Sequence, residues 1–369
     1  MRLRHPSGRI VHLACGVSLI EARTPAEAFR MLDAAAADLR AGLSGHTGGT
    51  GTLGIALRLP HPLAAALVDD GRARTRLRAE LDARSLEVLT LSGGPDAEGG
   101  GEATGTAAGA GPGATEGVTG DPRVTEGGSR MTGEGSGGAR VAESGTGGCG
   151  SPNGDPSPNG DPENGDDAEG GIPDWSDPAR LQHTLDLARI LVDLLPEDEV
   201  RGAVNTCGLG RRAGWDDARE RAGARHLGRL SGRLADLAWR VGRAVRAGFQ
   251  PQQGYVLDSP EDTVAALTRV DKDRLGVCLD LARVVRDWPA PEAGVDRLTD
   301  AGLSVITVRI TEPSAGWQPV LRHLLAADTA RTEYIEVDGH GPAAADLAYV
   351  MGQLTTIGLV PESEPCATQ

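Results

Sequence analysis

Residues 275–310 read LGVCLDLARVVRDWPAPEAGVDRLTDAGLSVITVRI. Two apolar runs, LGVCLD (275–280) and SVITVRI (304–310), flank a segment with room for a helical return, which is the layout of a parallel βα unit. Working outward, six more strand candidates repeat it: RIVHLAC (9–15), LGIALRL (53–59), LEVLTL (86–91), RGAVNT (201–206), AGFQ (247–250) and TEYIEV (332–337). Each is followed by a helical segment, the weakest being those after Asp280 and Thr311. The pattern predicts an α/β fold of the (β/α)8 barrel type rather than an open doubly wound sheet.

Helix starts carry capping chemistry. Thr24-Pro25-Ala26-Glu27 and Ser259-Pro260-Glu261-Asp262 place a hydroxyl ahead of a proline at the first helical position. Ser176-Asp177-Pro178 opens a third helix, in which Leu181, Leu185, Ala188, Leu191 and Leu195 recur at helical spacing.

Between the third and fourth strand candidates the composition changes. Residues 93–171 contain no Phe, Trp or Tyr and hold about half of the 53 glycines. Such a stretch buries too little apolar area to offset chain entropy of roughly 1 to 2 kcal/mol per residue, so it is expected to be disordered. It contains SPNGDP twice in tandem (151–162), the mark of a solvated spacer. The expected organisation is therefore barrel units over 1–92, the insert over 93–171, the rest of the barrel over 172–358 and a disordered tail over 359–369. Because an (β/α)8 fold works at the C-terminal ends of its strands, the insert leaves from the functional face.

Of the net charge of −15, the insert supplies 14 acidic residues against three arginines, which leaves about −4 for the rest. A nearly balanced folded part lacks the basic field of a nucleic-acid-binding surface. The five cysteines (15, 149, 207, 278 and 366) show no CxxC spacing, so neither a disulfide framework nor a zinc site is implied. No run approaches the roughly 18 apolar residues of a membrane span, and the N-terminal apolar run is short for a signal sequence. The expected location is the cytoplasm.

The chemistry should lie in GFQPQQG (248–254), CLDLAR (278–283), TVRIT (307–311) and EYIEVDG (333–339). Asp280, Glu336 and Asp338 supply carboxylates there, whereas Gln250, Gln252, Arg283 and Arg309 cannot serve as hard anionic ligands. A divalent ion needs several anionic oxygens or imidazoles in one shell. An inward-pointing Arg309 would instead provide Asp280 and Glu336 with their counter-charge. The other possibility is that Arg283 or Arg309 points to solvent beyond the strand end.

Five stretches resemble the xylose-isomerase-like sugar phosphate isomerase/epimerase superfamily, and within it the EboE metabolite-traffic family. They are MRLRHPSGRIVHLAC (1–15), TRLRAELDARSLEVLTL (75–91), PDWSDPARLQHTLDLARILVDLLP (173–196), DKDRLGVCLDLAR (271–283) and EYIEVDG (333–339). The resemblance implies a barrel with a metal-type pocket at its mouth, encoded in a gene cluster that handles a lipophilic precursor. Against the family pattern, Gln250 and Gln252 replace glutamates, Arg283 a histidine, Thr307 a lysine and Arg309 a glutamine. Asp280 and Glu336 are kept, and Asp338 shortens the next acid.

The expectation is thus a barrel whose metal site is impaired and that binds or hands on a small lipophilic or phosphorylated metabolite, alongside proteins of the same gene cluster. Glu336 is its one candidate base, in a pocket with Asp280, Arg309, Gln250, Gln252, Arg283, Asp338 and His340. No cofactor is expected. One alternative is an active isomerase, epimerase or lyase dependent on Mn, Mg or Zn; another is a non-catalytic scaffold that uses the insert as a tether. Arg211 and Arg212, in VNTCGLGRR, form a candidate anion site whose plain reading is a solvated turn. Cys207 sits where a nucleophile could, without a nearby histidine in sequence. His12 reads as a core residue, and Trp215 and Trp317 as packing.

Overall fold

The computed structural model describes residues 1–22, 24–43, 52–93, 173–327, 330–338 and 343–362. Its strands are β1 (Arg2–Arg4), β2 (Ile10–Ser18), β3 (Leu53–Leu59), β4 (Leu86–Gly93), β5 (Arg201–Cys207), β6 (Ala244–Gln250), β7 (Leu275–Asp280), β8 (Val305–Ile310), β9 (Tyr334–Val337) and β10 (Val360–Pro361). From β2 to β9 each strand pairs in parallel with the next. β9 then returns to β2, with His12 opposite Tyr334 and Cys15 opposite Val337, and the sheet closes on itself. Eight parallel strands with helices between them form the expected (β/α)8 barrel.

Closure explains why the strands read as apolar runs: one face meets the outer helices and the other fills the barrel. β7 and β8 are buried at every position. The helices are α1 (Pro25–Leu43), α2 (His61–Asp69), α3 (Gly71–Ala83), α4 (Pro178–Leu194), α5 (Asp217–Val241), α6 (Pro260–Leu267), α7 (Leu281–Asp287), α8 (Pro291–Asp300), α9 (Gln318–Ala326) and α10 (Ala343–Thr356). Thr24 and Glu27 form a reciprocal capping box at α1, each side chain accepting from the other's backbone amide, at 3.3 and 3.1 Å. Ser259 caps α6, and Asp177, rather than the preceding serine, caps α4.

The inner layer mixes small and large residues. Ala14, Ala56 and Ala203 pack there with Leu89, Ile306 and Tyr334. Gly276 belongs to the same economy of space, because a Cβ on it would lie 2.4 Å from the Ser304 carbonyl oxygen.

Two short strands lie outside the eightfold pattern. β1 runs antiparallel to β2, and β10 pairs antiparallel with β1. The tail expected to be disordered from residue 359 is therefore corrected through residue 362. Leu359 is fully buried, and Val360 and Pro361 cover the otherwise open edge of β1. The insert expected over 93–171 lies outside the described residues apart from Gly93, as do Cys149, Cys366 and His340. Among the described residues no helix is long and apolar enough to cross a membrane.

Candidate functional site

The polar residues at the C-terminal ends of the barrel strands converge on Glu336, near the end of β9 and only 3% exposed. One carboxylate oxygen accepts hydrogen bonds from the Thr90 hydroxyl of β4 at 2.5 Å and from Asn205 Nδ2 of β5 at 2.8 Å. The other faces the Arg309 guanidinium of β8, with Nε and a terminal nitrogen both at 3.1 Å. Arg309 also donates to Gln250 Oε1 of β6 at 3.0 Å. Five strands thus contribute to one connected network. Burial works against the Arg309 charge, yet the Glu336 carboxylate outweighs it and holds the guanidinium above its ordinary value.

Asp280, at the end of β7, is occupied differently. Its carboxylate caps α7 by accepting from the Ala282 amide at 3.1 Å and takes the Thr311 hydroxyl at 2.9 Å. Arg283 stands at its outer side, Nε to Oδ2 3.5 Å, with over a third of its side chain exposed. Arg309 therefore bonds to Glu336 alone of the two acids it was expected to bridge. Gln252 and Arg283 line a small depression beside Asp280.

A second ion pair lies across the mouth. Arg58, at the end of β3, pairs with Asp338 just beyond β9, and the space for that carboxylate exists because residue 16 of β2 is glycine. Burial, reinforced by the nearby Arg309 charge, lowers the Arg58 pKa to about 10. Beneath the network, Cys278 is fully buried and its thiol is pushed up to about 12 by that burial, so it is no nucleophile at neutral pH. Asn205 Oδ1 and Thr307 Oγ1 are among the buried polar atoms that have no partner among the described residues.

The remaining candidates separate from this cluster. Arg212 pairs with Asp262 at 2.6 Å, and Arg211 lies 5.7 Å above the Tyr255 ring. Both belong to a loop after β5 that pairs with the loop after β6 through Arg212 N to Gly254 O and Val256 N to Gly210 O. Cys207 is buried. His12 lies at the opposite end of the barrel with its ring 5.7 Å from Tyr334, where burial lowers its pKa to about 4. Trp317 is fully buried and donates to the Pro313 carbonyl, and Trp215 packs over Gly210.

Sequence reasoning missed Arg58, Thr90 and Asn205. The signal available was positional: each is a polar residue near the C-terminal end of an otherwise apolar strand.

Among the described residues the carboxylates at the strand ends are already engaged. Glu336 already receives a hydroxyl, an amide and a guanidinium, Asp280 is spent on a helix start, and the cation beside Glu336 is part of the protein. Among the described residues no group of three or more His, Cys, Asp or Glu side chains is placed to hold a metal.

No protein-family model matches the chain, and no curated protein does. Solved structures do. The fold is a TIM barrel, and the solved structures similar to it include proteins named as sugar isomerases and epimerases. An L-ribulose 3-epimerase superposes with a TM-score of 0.53 at 12% identity, over 94% of this chain and 96% of its own. A protein of Anabaena variabilis assigned as a sugar phosphate isomerase/epimerase gives 0.53 at 12%, over 94% and 100%. The D-allulose 3-epimerase of Methylomonas sp., in complex with D-allulose, gives 0.51 at 11%, over 96% and 99%. At these identities the likeness establishes the TIM-barrel fold and nothing finer.

Proposed function

We propose that the barrel mouth is a binding site for a small hydroxyl-bearing or phosphorylated metabolite, operating without a divalent ion. The observation that carries this reading is the bond set of Arg309, which fixes Glu336 on one side and Gln250 on the other. The Glu336 carboxylate is already engaged by three donor side chains, and epimerisation at carbon needs a second base or a metal-polarised carbonyl. The network is better suited to holding than to abstracting a proton. The EboE-type assignment, with its lipophilic precursor and gene-cluster partners, is supported by the quoted sequence stretches alone.

A second reading is a metal-dependent sugar isomerase or epimerase. What favours it is the solved neighbours, which are epimerases and isomerases by name. Thermal unfolding against free and phosphorylated ketoses, with and without a chelator, separates the two. Metal-free binding predicts a rise in Tm that the chelator leaves unchanged, since a ligand at 100 times its Kd adds about 2.7 kcal/mol to stability. A rise abolished by the chelator, together with turnover in its absence, establishes the second reading.

A further inference from the structure

The outer wall of the barrel carries a cavity that shares no residue with the Glu336 network. α1, α2 and α3 enclose about 340 Å3 there, within the range of small-molecule sites. Leu19, Leu67 and Leu77 form its buried surface, and half-buried Phe29 and Leu63 stand nearer the opening.

The rim is basic in a particular way. Arg72 and Arg76, one helical turn apart on α3, line the opening and are exposed. Their neighbours are all engaged: Arg74 with Asp193, Arg78 with Asp82, and Arg84 with Asp33 and Glu80. Among the described residues Arg72 and Arg76 have no carboxylate partner, and Arg76 lies 5.3 Å above the Phe29 ring. The acid at the rim, Asp70, accepts the amides of Arg72 and Ala73 at 2.9 and 3.1 Å, so it is committed to starting α3. An apolar cavity beneath two uncompensated guanidinium groups is complementary to a molecule with a hydrocarbon body and one anionic end.

We propose that this groove binds a soluble medium-chain fatty carboxylate, its chain between α1 and α2 and its head at Arg72 and Arg76. The site is independent of the barrel mouth and of the reading given for it.

The test is calorimetric titration of the full chain with octanoate, decanoate and dodecanoate, and with the alcohols of the same lengths. Affinity should rise about fourfold per added methylene until the groove is full. Carboxylates should bind tighter than the matching alcohols by at least about tenfold, an advantage removed in Arg72→Gln/Arg76→Gln. Both positions are exposed, and circular dichroism verifies that the variant is folded. Gln250→Ala, in the mouth, should leave dodecanoate binding unchanged. Absence of binding, equal binding of acids and alcohols, or an unchanged double variant overturns the proposal. So does loss of binding in Gln250→Ala, or a response confined to anionic phospholipid vesicles.

Discussion

Arg309→Met removes the guanidinium while keeping much of the side chain's apolar length. Glu336 stays in place, 3% exposed, with the Thr90 hydroxyl and the Asn205 amide as its donors. Breaking a buried pair from one side leaves an uncompensated charge and costs about 3 to 5 kcal/mol. That lowers the folded-to-unfolded ratio by roughly two to three and a half powers of ten. Glu336→Gln made in the Arg309→Met background removes the stranded charge and should recover all but about 1 to 2 kcal/mol, because a neutral pair in a buried site is often tolerated. Urea unfolding followed by circular dichroism, on wild type, both single variants and the double, yields a coupling free energy of at least about 2 kcal/mol in the cycle. The reasoning is refuted if Arg309→Met costs under about 1 kcal/mol, or if the two substitutions simply add. Either outcome would mean that the pair is wet and does not replace an ion.

Four further outcomes follow from particular contacts. Gln250→Glu combined with Arg309→Gln puts a second carboxylate beside Glu336 and removes the resident cation; this variant should bind Mn measurably by calorimetry, whereas Gln250→Glu alone should not. Gly276→Ala drives a methyl group to 2.4 Å from a backbone carbonyl that cannot rotate away, and should lower stability by about 1 to 3 kcal/mol in the same urea assay. Thr24→Ala removes one half of the capping box and should cost about 1 kcal/mol. Burial lowers the His12 pKa to about 4 and the His183 pKa to about 3. The unfolded chain therefore binds more protons than the folded one below the ordinary histidine value of about 6.5. Stability should be fully present above that pH and fall as the pH drops toward 4, by roughly 3 kcal/mol for His12, and His12→Gln should flatten the decline.

The barrel was legible because strands buried on both faces are mostly apolar, so Leu275–Asp280 and Val305–Ile310 stand out as apolar runs in which the few polar residues, Asp280, Thr307 and Arg309, mark the inner face or the strand end. The cap residues were legible for an equally local reason: Thr24-Pro25 and Ser259-Pro260 satisfy helix ends from within four residues. β1 and β10 were not, since three and two residues carry no periodicity and their pairing joins the two ends of the described chain. At the site, the inward-facing acids and amides could be picked out from strand ends. What could not be read was which partner each would find. Arg309 reaches Glu336 and Gln250, whereas Asp280 turns to the first amides of α7, because barrel stagger and the α7 start fix those distances. Arg58 escaped notice because a lone arginine inside LGIALRL looks like an outward-facing break, while closure turns it toward Asp338.

The central claim is that an arginine has taken the place of a dication beside Glu336, and metal stoichiometry tests it most directly. Protein purified without chelator from cells supplied with Mn, Mg and Zn, then dialysed and analysed by plasma mass spectrometry, should contain far less than one equivalent of any divalent metal. One tightly held equivalent per chain, lost in Glu336→Gln, would contradict the account.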